Sequence, residues 1–470
     1  MNIAEALSGS TKLEDIQSMM LAGTLQRELS GLLSGPNTLE HCYVRHARFR
    51  PGRKLTANYE AHLRTEGSET HTVRAMEVTW RPHPNGDPRQ RTADLGAMEA
   101  EAVRRGVSAP FRQLVADLPD WGIHIQVSPV DEHFPQLVRV HDPSYVPNMV
   151  GRAYAASGVA QDQAPARSYG VTSIRYRPRR RHVLRYDPLD APERETLFAK
   201  IYAGESGERA FRVATLVADW LEQRGQGVTS LRPLAYLADD AVVFYRKLLG
   251  QSLSQYVQKP SQGLGQKLRA VGVALRALHE FPPTPVGPLE VHDLALELKL
   301  IKRSCKHVPA LLPSVGASIE ALLERARVLY ERLPQEKPTF THGDFLSEHV
   351  WVTPRGLVLI DLDNCCLADP ALDVGKFLAD LRFLYAKCEQ PGVEQAQEEF
   401  LAGYTPGTPP ERLIRARLYE AIKVAKMTGR RVFVFEQDWA SRTERLIGRA
   451  QALMSGLEHT LGFTAGRVST

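Results

Sequence analysis

The sequence has few cysteines and no long apolar run. Its five cysteines are an odd number, they form no C-x-x-C pair, and adjacent Cys365 and Cys366 resemble a small buried apolar pair more than a disulfide. This pattern indicates a reducing compartment. No stretch approaches the about eighteen consecutive apolar residues of a membrane-spanning helix, and the N-terminal segment lacks the apolar core of a signal peptide. We therefore expect a cytoplasmic protein with no membrane partner.

The excess of positive over negative charge is also small. The 59 basic and 54 acidic residues leave a net charge of +5, without the concentrated basic face that nucleic-acid binding usually requires. We therefore expect no nucleic-acid partner. The 43% hydrophobic content is ordinary for a globular protein, and 470 residues suffice for about two or three domains. Oligomeric state is not determined by these features.

The most informative stretch runs from residue 341 to residue 373. Two short β-rich runs, Val350–Val352 and Leu357–Ile360, flank a turn with Pro354 at its second position and Gly356 at its fourth. They predict a tight hairpin, whose outer ends finish side by side. This arrangement gathers three carboxylates and two imidazoles: His342, Asp344, His349, Asp361 and Asp363.

Crowded carboxylates repel one another unless a cation or a shared proton lies among them. Oxygen ligands of this kind suit Mg²⁺, which usually takes one or two protein carboxylates and leaves its other positions to phosphate and water. A further carboxylate, Asp344, can accept a proton from an attacking hydroxyl, as phosphoryl transfer requires. The alternative interpretation is a solvated loop with scattered acids.

Three motifs resemble the aminoglycoside phosphotransferase/choline kinase-like family: HGD at 342–344, IDLD at 360–363 and DPALD at 369–373. The resemblance implies an α+β, bilobed protein-kinase-like fold with a small antiparallel β lobe and a large helical lobe. It also implies ATP and Mg²⁺ as cofactors and a hydroxyl of a small polar molecule as acceptor. The acceptors of the family are sugars, amino sugars, aminoglycosides and amino alcohols.

The resemblance also implies a role for each motif residue. Asp344, preceded by His342, corresponds to the catalytic base, and Asp361 to the metal ligand. Asp373 corresponds to the residue that supports the catalytic loop by hydrogen bonds to its backbone. Where the family usually has Asn as second metal ligand this chain has His349, a softer nitrogen ligand, so Asp363 is a candidate for the missing oxygen. This departure leaves open a non-catalytic pseudokinase that binds nucleotide or a protein partner.

Residues 168–247 fit the small lobe of such a fold. Lys200 lies in the apolar segment LFAKIY and corresponds to the lysine that holds the α- and β-phosphates. Its usual glutamate partner falls on Ala214, so Glu208 is the nearest candidate. The turn between the first two strands has no glycine, and we expect either a solvated basic turn or phosphate binding by its arginines. These are Arg179, Arg180 and Arg181.

The N-terminal part contains a possible internal repeat. Residues 48–60 align with residues 175–187, which predicts a duplicated three-strand unit that places Met76 at the position of Lys200; chance similarity is the alternative. A loose linker is expected around residues 151–167. We expect an α+β cap-like domain at 1–160, the small lobe at 168–247 and the helical large lobe at 248–470.

Overall fold

The computed structural model describes residues 3–8, 11–21, 23–65, 67, 71–82, 88–158, 166–259 and 262–463. The chain forms two compact units. The first comprises Met1–Phe211, Pro233–Lys247 and Phe433–Glu436, and the second comprises Arg212–Arg232, Leu248–Val432 and Gln437–Thr470. The predicted boundaries at 160, 168 and 247 stay a prediction. Among the described residues, no helix has the length and apolar content needed to cross a membrane.

The first half of the chain carries most of the strands. Its elements are α1 (Ile3–Ala6), α2 (Leu13–Leu21), α3 (Gly23–Gly31), β1 (Asn37–Arg50), β2 (Lys54–Thr65), β3 (His71–Trp80), α4 (Pro88–Arg104), β4 (Val115–Leu118), β5 (Ile123–Val127), α5 (Gln136–Arg139), α6 (Val146–Ala156), β6 (Tyr169–Arg177), β7 (Arg181–Pro188), β8 (Leu197–Ile201), α7 (Ser206–Gln223), β9 (Val228–Ser230), β10 (Ala235–Leu237) and β11 (Val242–Arg246).

The second half is mainly helical. Its elements are β12 (Gln251–Ser252), α8 (Leu253–Gln258), α9 (Leu264–His279), β13 (Val291–His292), α10 (Leu294–Ser304), α11 (Val308–Leu311), α12 (Pro313–Glu331), β14 (Thr339–Thr341), β15 (Val350–Thr353), β16 (Gly356–Leu359), β17 (Cys366–Ala368), α13 (Ala371–Lys387), α14 (Val393–Tyr404), α15 (Pro410–Arg431) and α16 (Trp439–Thr460).

The first unit contains two five-stranded sheets with the same strand order. One runs β1-β2-β3-β5-β4 and the other β6-β7-β8-β11-β10, and in each a helix follows the third strand. The first hairpins close at equivalent pairs, Arg50 with Lys54 and Arg177 with Arg181, around three-residue turns. The predicted repeat is therefore present, and it covers the whole sheet rather than three strands.

The pairing of the third strand corrects one expected correspondence. Two residues beyond the hairpin closures, Thr56 pairs with Thr79 whereas Val183 pairs with Lys200. Thr79 therefore occupies the ladder position of Lys200, and the predicted correspondence of Met76 with Lys200 is wrong by three residues. The cause is that β2 and β3 are longer than β7 and β8, so that Thr79 follows Thr56 by 23 positions whereas Lys200 follows Val183 by 17.

The expected linker is partly helical. Helix α6 extends to Ala156, and its Met149 and Val150 belong to the same buried cluster as Tyr186 and Phe244 of the second sheet. A loose linker at 151–156 is therefore wrong, because the apolar face of α6 is buried against this sheet. Residues 159–165 of the expected linker lie outside the described residues.

The second unit contains the predicted hairpin and the predicted long helices. Strands β15 and β16 pair from Val350–Leu359 to Thr353–Gly356 and join a four-stranded sheet of order β12-β15-β16-β9. A separate three-stranded sheet has the order β13-β17-β14, and its strands β14 and β17 flank the hairpin in the sequence. Gly375 allows α13 and α15 to approach closely, since a Cβ there would lie 2.4 Å from the Ala416 carbonyl oxygen.

Candidate active site

The loop after β14 is fixed by a buried carboxylate from α13. Asp373 is fully buried; its Oδ2 accepts the His342 amide at 2.6 Å and its Oδ1 accepts the Gly343 amide at 3.0 Å. Burial opposes ionisation of Asp373, but its hydrogen bond to His279 and the charges nearby hold its pKa below the usual value. Asp373 thus has the position of a loop-supporting residue.

Two histidine rings of this segment stack on each other. The rings of His342 and His349 are nearly parallel, with centroids 5.7 Å apart. Nε2 of His342 donates to the Ile360 carbonyl at 3.0 Å, and burial lowers the pKa of this ring. Nδ1 of His349 donates to the Asp344 carbonyl at 2.7 Å, because a carbonyl oxygen only accepts. In the neutral ring, Nε2 of His349 therefore presents a lone pair.

That lone pair faces a carboxylate. His349 Nε2 lies 3.6 Å from Asp361 Oδ2, and only a tenth of each side chain is exposed. Asp361 itself adopts a left-handed conformation, with φ 64°, directly before the turn Leu362–Asn364 that carries Asp363. Such backbone conformations are uncommon outside glycine and cluster at functional sites.

The donor set fits a hard cation with limited protein ligation. One carboxylate and one imidazole nitrogen converge, and no group of three metal-ligating side chains occurs within the described ranges. Mg²⁺ is commonly held by one or two carboxylates together with substrate phosphates and water. Asp361 and His349 could hold such an ion together with phosphate and water, and Asp363 lies two residues away along the chain.

Asp344 has a charged partner that the sequence did not reveal. Lys376 of α13 contacts Asp344 Oδ1 with its Nζ, and the same Nζ lies 3.3 Å from the Gly343 carbonyl oxygen. Burial would raise the pKa of Asp344, but the ammonium group of Lys376 holds it well below the usual value. Asp344 is therefore ionised at neutral pH.

Two lysines of α15 lie near Lys376. Lys423 and Lys426 share the fully buried carboxylate of Glu297, with Nζ–Oε1 distances of 2.9 Å and 2.8 Å. Burial and the neighbouring Lys423 lower the pKa of Lys426 to about 7. Lys376 also lowers the pKa of both lysines, which places the three ammonium groups within electrostatic reach of one another.

The turn that carries His349 has its own anchor. Asp380, buried on α13, accepts the amide of Ser347 at 2.8 Å and its hydroxyl at 2.5 Å. Arg431 donates to the same carboxylate at 2.8 Å. Since α13 supplies Asp373, Lys376 and Asp380 at helical spacing, one face of this helix supports the whole loop.

The predicted nucleotide-binding residues lie in the first unit. Lys200 is half-buried in β8, with its Nζ 5.8 Å from the ring centroid of Tyr245. Glu208 lies exposed in the first turn of α7. The predicted pairing of Glu208 with Lys200 stays a prediction.

The three arginines of the basic turn have different environments. Arg179 is held by two hydrogen bonds: its Nε donates to Glu132 Oε1 at 2.9 Å and its backbone amide donates to Asp131 Oδ2 at 2.8 Å. Arg180 is exposed at the end of the turn, and Arg181 begins β7.

A known protein family matches the part of the chain that contains these residues. The phosphotransferase enzyme family matches residues 181–414, which include Lys200, the HGD, IDLD and DPALD motifs and most of the helices around them. The chain belongs to this family.

The phosphotransferase family assignment agrees with the fold. The antiparallel small-lobe sheet followed by a mainly helical unit confirms the predicted α+β, protein-kinase-like class. The first sheet precedes the matched residues, so it is additional to the part that defines the family. Membership supports phosphoryl transfer involving a small molecule as the general activity.

Several solved structures are similar at low identity. A choline/ethanolamine kinase family protein from Mesorhizobium loti is 19% identical, with 65% of this chain and 94% of that chain covered and a TM-score of 0.42. A choline kinase from Cryptosporidium parvum is 10% identical, with 68% and 96% covered and a TM-score of 0.45. An aminoglycoside phosphotransferase from Streptomyces rimosus, solved with ADP and streptomycin, is 18% identical, with 52% and 90% covered and a TM-score of 0.35. Similarity at this level identifies no substrate, and a comparison with curated protein sequences finds no match.

Lys376 is the main residue that sequence reasoning missed in this phosphotransferase. A signal was present, since Lys376 follows Asp373 by three residues and the two must share a face of α13. The common partner of Lys423 and Lys426, Glu297, lies on α10, far away in sequence, and nothing in the local pattern pointed to it.

Proposed function

We propose that the protein is an ATP- and Mg²⁺-dependent phosphotransferase that transfers the γ-phosphoryl group to a hydroxyl of a small polar molecule. The observation that carries this proposal is the ionised Asp344 in a loop whose backbone is held by Asp373. A half-buried, ionised carboxylate at this position can accept a hydrogen bond and then a proton from an acceptor hydroxyl.

In the proposed reaction, Asp344 orients the acceptor hydroxyl toward the γ-phosphorus. The hydroxyl oxygen forms the new P–O bond while the bond to the β-phosphate oxygen breaks, and ADP leaves with that electron pair. The hydroxyl proton passes to Asp344. Because the transition state of phosphoryl transfer is loose, positioning matters more than base strength, and the depressed pKa of Asp344 is compatible with this role.

Asp361 and His349 would hold Mg²⁺, with Asp363 as a further oxygen donor. When bound, the metal supplies positive charge to the β- and γ-phosphate oxygens. Lys200 would hold the α- and β-phosphates, and Arg180 and Arg181 remain candidates for contacts with the phosphate chain. Arg179 is a weaker candidate, because its guanidinium already pairs with Glu132.

The cations near Asp344 favour a neutral or anionic acceptor. The charges of Lys376 and Arg430 lower the pKa of the Asp344 carboxyl, and Lys423 lies within electrostatic reach of it. A polycationic aminoglycoside would be repelled by such an environment. We therefore place sugars and other uncharged polyols before aminoglycosides and choline-like amino alcohols.

The alternative function is a pseudokinase that binds nucleotide without turnover. Its main support is His349 in the place of the usual asparagine. Against it, the lone pair of His349 Nε2 faces Asp361 and keeps a donor at that position. We further propose the three-segment organisation with a cap-like domain at 1–160, a small lobe at 168–247 and a large lobe at 248–470.

The decisive experiment is Mg²⁺-ATP turnover against a panel of sugars, amino sugars, aminoglycosides and amino alcohols. Wild type and Asp344→Asn are compared by ³¹P NMR of the phosphorylated acceptor. We expect one acceptor class to be phosphorylated, with kcat reduced by about 10²–10⁴-fold in the variant.

Asp438→Asn is the matched control, because Asp438 is a half-exposed carboxylate that pairs with Arg442 on the surface of the same unit. It should retain wild-type turnover. ATP binding without turnover of any acceptor would favour the pseudokinase, and turnover that survives in Asp344→Asn would refute the assigned base.

A further inference from the structure

The basic turn between β6 and β7 contains a residue in an unfavourable backbone conformation. Arg179 has φ 62°, in the left-handed region that side-chain-bearing residues seldom adopt. The equivalent residue of the first sheet's turn is Gly52, with φ 65°. Glycine adopts this conformation without steric cost. The second sheet therefore keeps the same turn shape with a residue that does not favour it, and something else must hold the turn.

The group that holds it is Asp131, in the segment that follows the first sheet. Asp131 is fully buried, and its Oδ2 accepts both the Arg179 amide at 2.8 Å and the His182 Nε2 at 2.8 Å. One carboxylate oxygen thus ties together the left-handed residue of the turn and the second residue of β7. The bond goes to the backbone of Arg179, so it fixes the conformation of the turn directly.

Neighbouring groups strengthen this connection. Glu132, next to Asp131, pairs with the Arg179 guanidinium at 2.9 Å. Tyr176, at the end of β6, donates its hydroxyl to the Val130 carbonyl at 2.6 Å, and Gln126 of β5 donates to both Val130 and Tyr176. Both sides of the turn are therefore attached to residues 126–132, which follow from the first sheet.

We propose that Asp131 is a positioning residue for the nucleotide, by which the first sheet holds the phosphate-facing turn of the second sheet in its working conformation. This inference rests on the proposed function, in which that turn lies over the nucleotide phosphates. The proposal gives the additional N-terminal sheet a role. Other phosphate-binding turns use the conformational freedom of glycine, whereas here the segment that follows the first sheet holds a turn without glycine in place.

The test is a double-mutant cycle in the full chain between Asp131→Asn and Arg179→Gly. The dissociation constant of Mg²⁺-ATP is measured by calorimetry, and amide hydrogen exchange is measured for a peptide covering residues 177–182. We expect Asp131→Asn to weaken ATP binding about tenfold and to accelerate exchange in this peptide, with the acceptor KM unchanged.

In the Arg179→Gly background, the same Asp131→Asn change should weaken ATP binding by less than about threefold, because glycine adopts the left-handed conformation unaided. A purely structural role of Asp131 would give the same loss in both backgrounds, and that result would overturn the proposal. Wild-type ATP affinity and exchange in Asp131→Asn would overturn it as well.

The matched control is Asp117→Asn. Asp117 forms an equivalent pair with His124 at 2.8 Å within the first sheet, but at an exposed site away from the turn. It should leave ATP binding and exchange at 177–182 unchanged. If Asp131→Asn does not fold, Glu132→Gln changes the less buried anchor of the same turn, and there we expect about a threefold loss of ATP affinity; no change would count against the proposal.

Failure of the proposed function has a different signature. If the wild-type protein does not bind ATP, the phosphotransferase proposal fails. The exchange measurement still decides whether Asp131 holds the turn, because it requires no nucleotide.

Discussion

Buried Lys376 and half-buried Asp344 form an ion pair whose carboxylate is the proposed catalytic base. A lysine in direct contact lowers the basicity of a carboxylate, so Asp344 stays ionised but binds a proton weakly. This suits a reaction in which the base mainly orients the hydroxyl until the P–O bond is largely formed. The pair also places one positive charge next to the proposed base.

Replacing Lys376 by methionine should raise the pKa of Asp344. In the wild type, the depressed pKa of Asp344 places the acid limb of the pH profile of kcat/KM below about pH 4. In the variant, burial without the lysine should move this limb up into the range of about pH 4 to pH 8 over which the profile is measured, because the protonated carboxyl cannot accept the hydroxyl proton. Lys387→Met, in the last turn of the same helix, is the control and should leave the limb in place. An unchanged limb in Lys376→Met would show that the two groups are not coupled during turnover.

Gly343→Ala should reduce both stability and activity. Gly343 has φ 72°, and a Cβ there would lie 2.1 Å from the Asn364 carbonyl oxygen, so the loop or the Asp361 turn must shift. Gly392→Ala is the matched control, since Gly392 has φ 89° but no atom within 4 Å of the added Cβ. Both variants carry the left-handed penalty of about 1–2 kcal/mol, and only Gly343→Ala adds the clash. Urea unfolding that gives equal losses for the two variants would contradict the close approach.

Asp373→Asn should destabilise the protein by about 2–4 kcal/mol, because an amide cannot serve both backbone donors and His279 as a carboxylate does. The folded-state pKa of Asp373 is depressed, so its stabilisation is complete above about pH 4 and declines as pH falls through the lower folded value. The difference in unfolding free energy between wild type and variant should therefore shrink below about pH 4. A difference that stays constant with pH would contradict the ionised state of Asp373.

Lys426 provides a prediction in a higher pH range. Its folded-state pKa of about 7 lies below the usual value near 10.4, so between these values the unfolded chain binds more protons than the folded protein. The stability of wild type relative to Lys426→Met should rise as pH increases from about 7 to about 10. The difference is measured by urea unfolding at several pH values. A flat difference would show that Lys426 titrates normally in the folded protein.

The hairpin and the order of the site motifs were predicted from the sequence because the relevant residues are close together along the chain. His342 meets Ile360, the residue before Asp361, because the hairpin of β15 and β16 brings its two ends together and its turn chemistry is local. The repeat was also visible, but its third strand was misplaced by three residues. The residues near Met76 gave no measure of strand length, and only the ladder of hydrogen bonds fixed the register.

By itself, the sequence determined the family, the α+β class and the identities of the candidate base and metal ligand, because these depend on motifs with short internal spacing. Only the tertiary structure decided which charges surround them. Glu297 meets Lys426 by the packing of α10 against α15, and Asp131 meets Arg179 through the arrangement of two sheets. Contacts of this kind depend on how distant segments pack, and the local sequence around either partner carries no signal of the other.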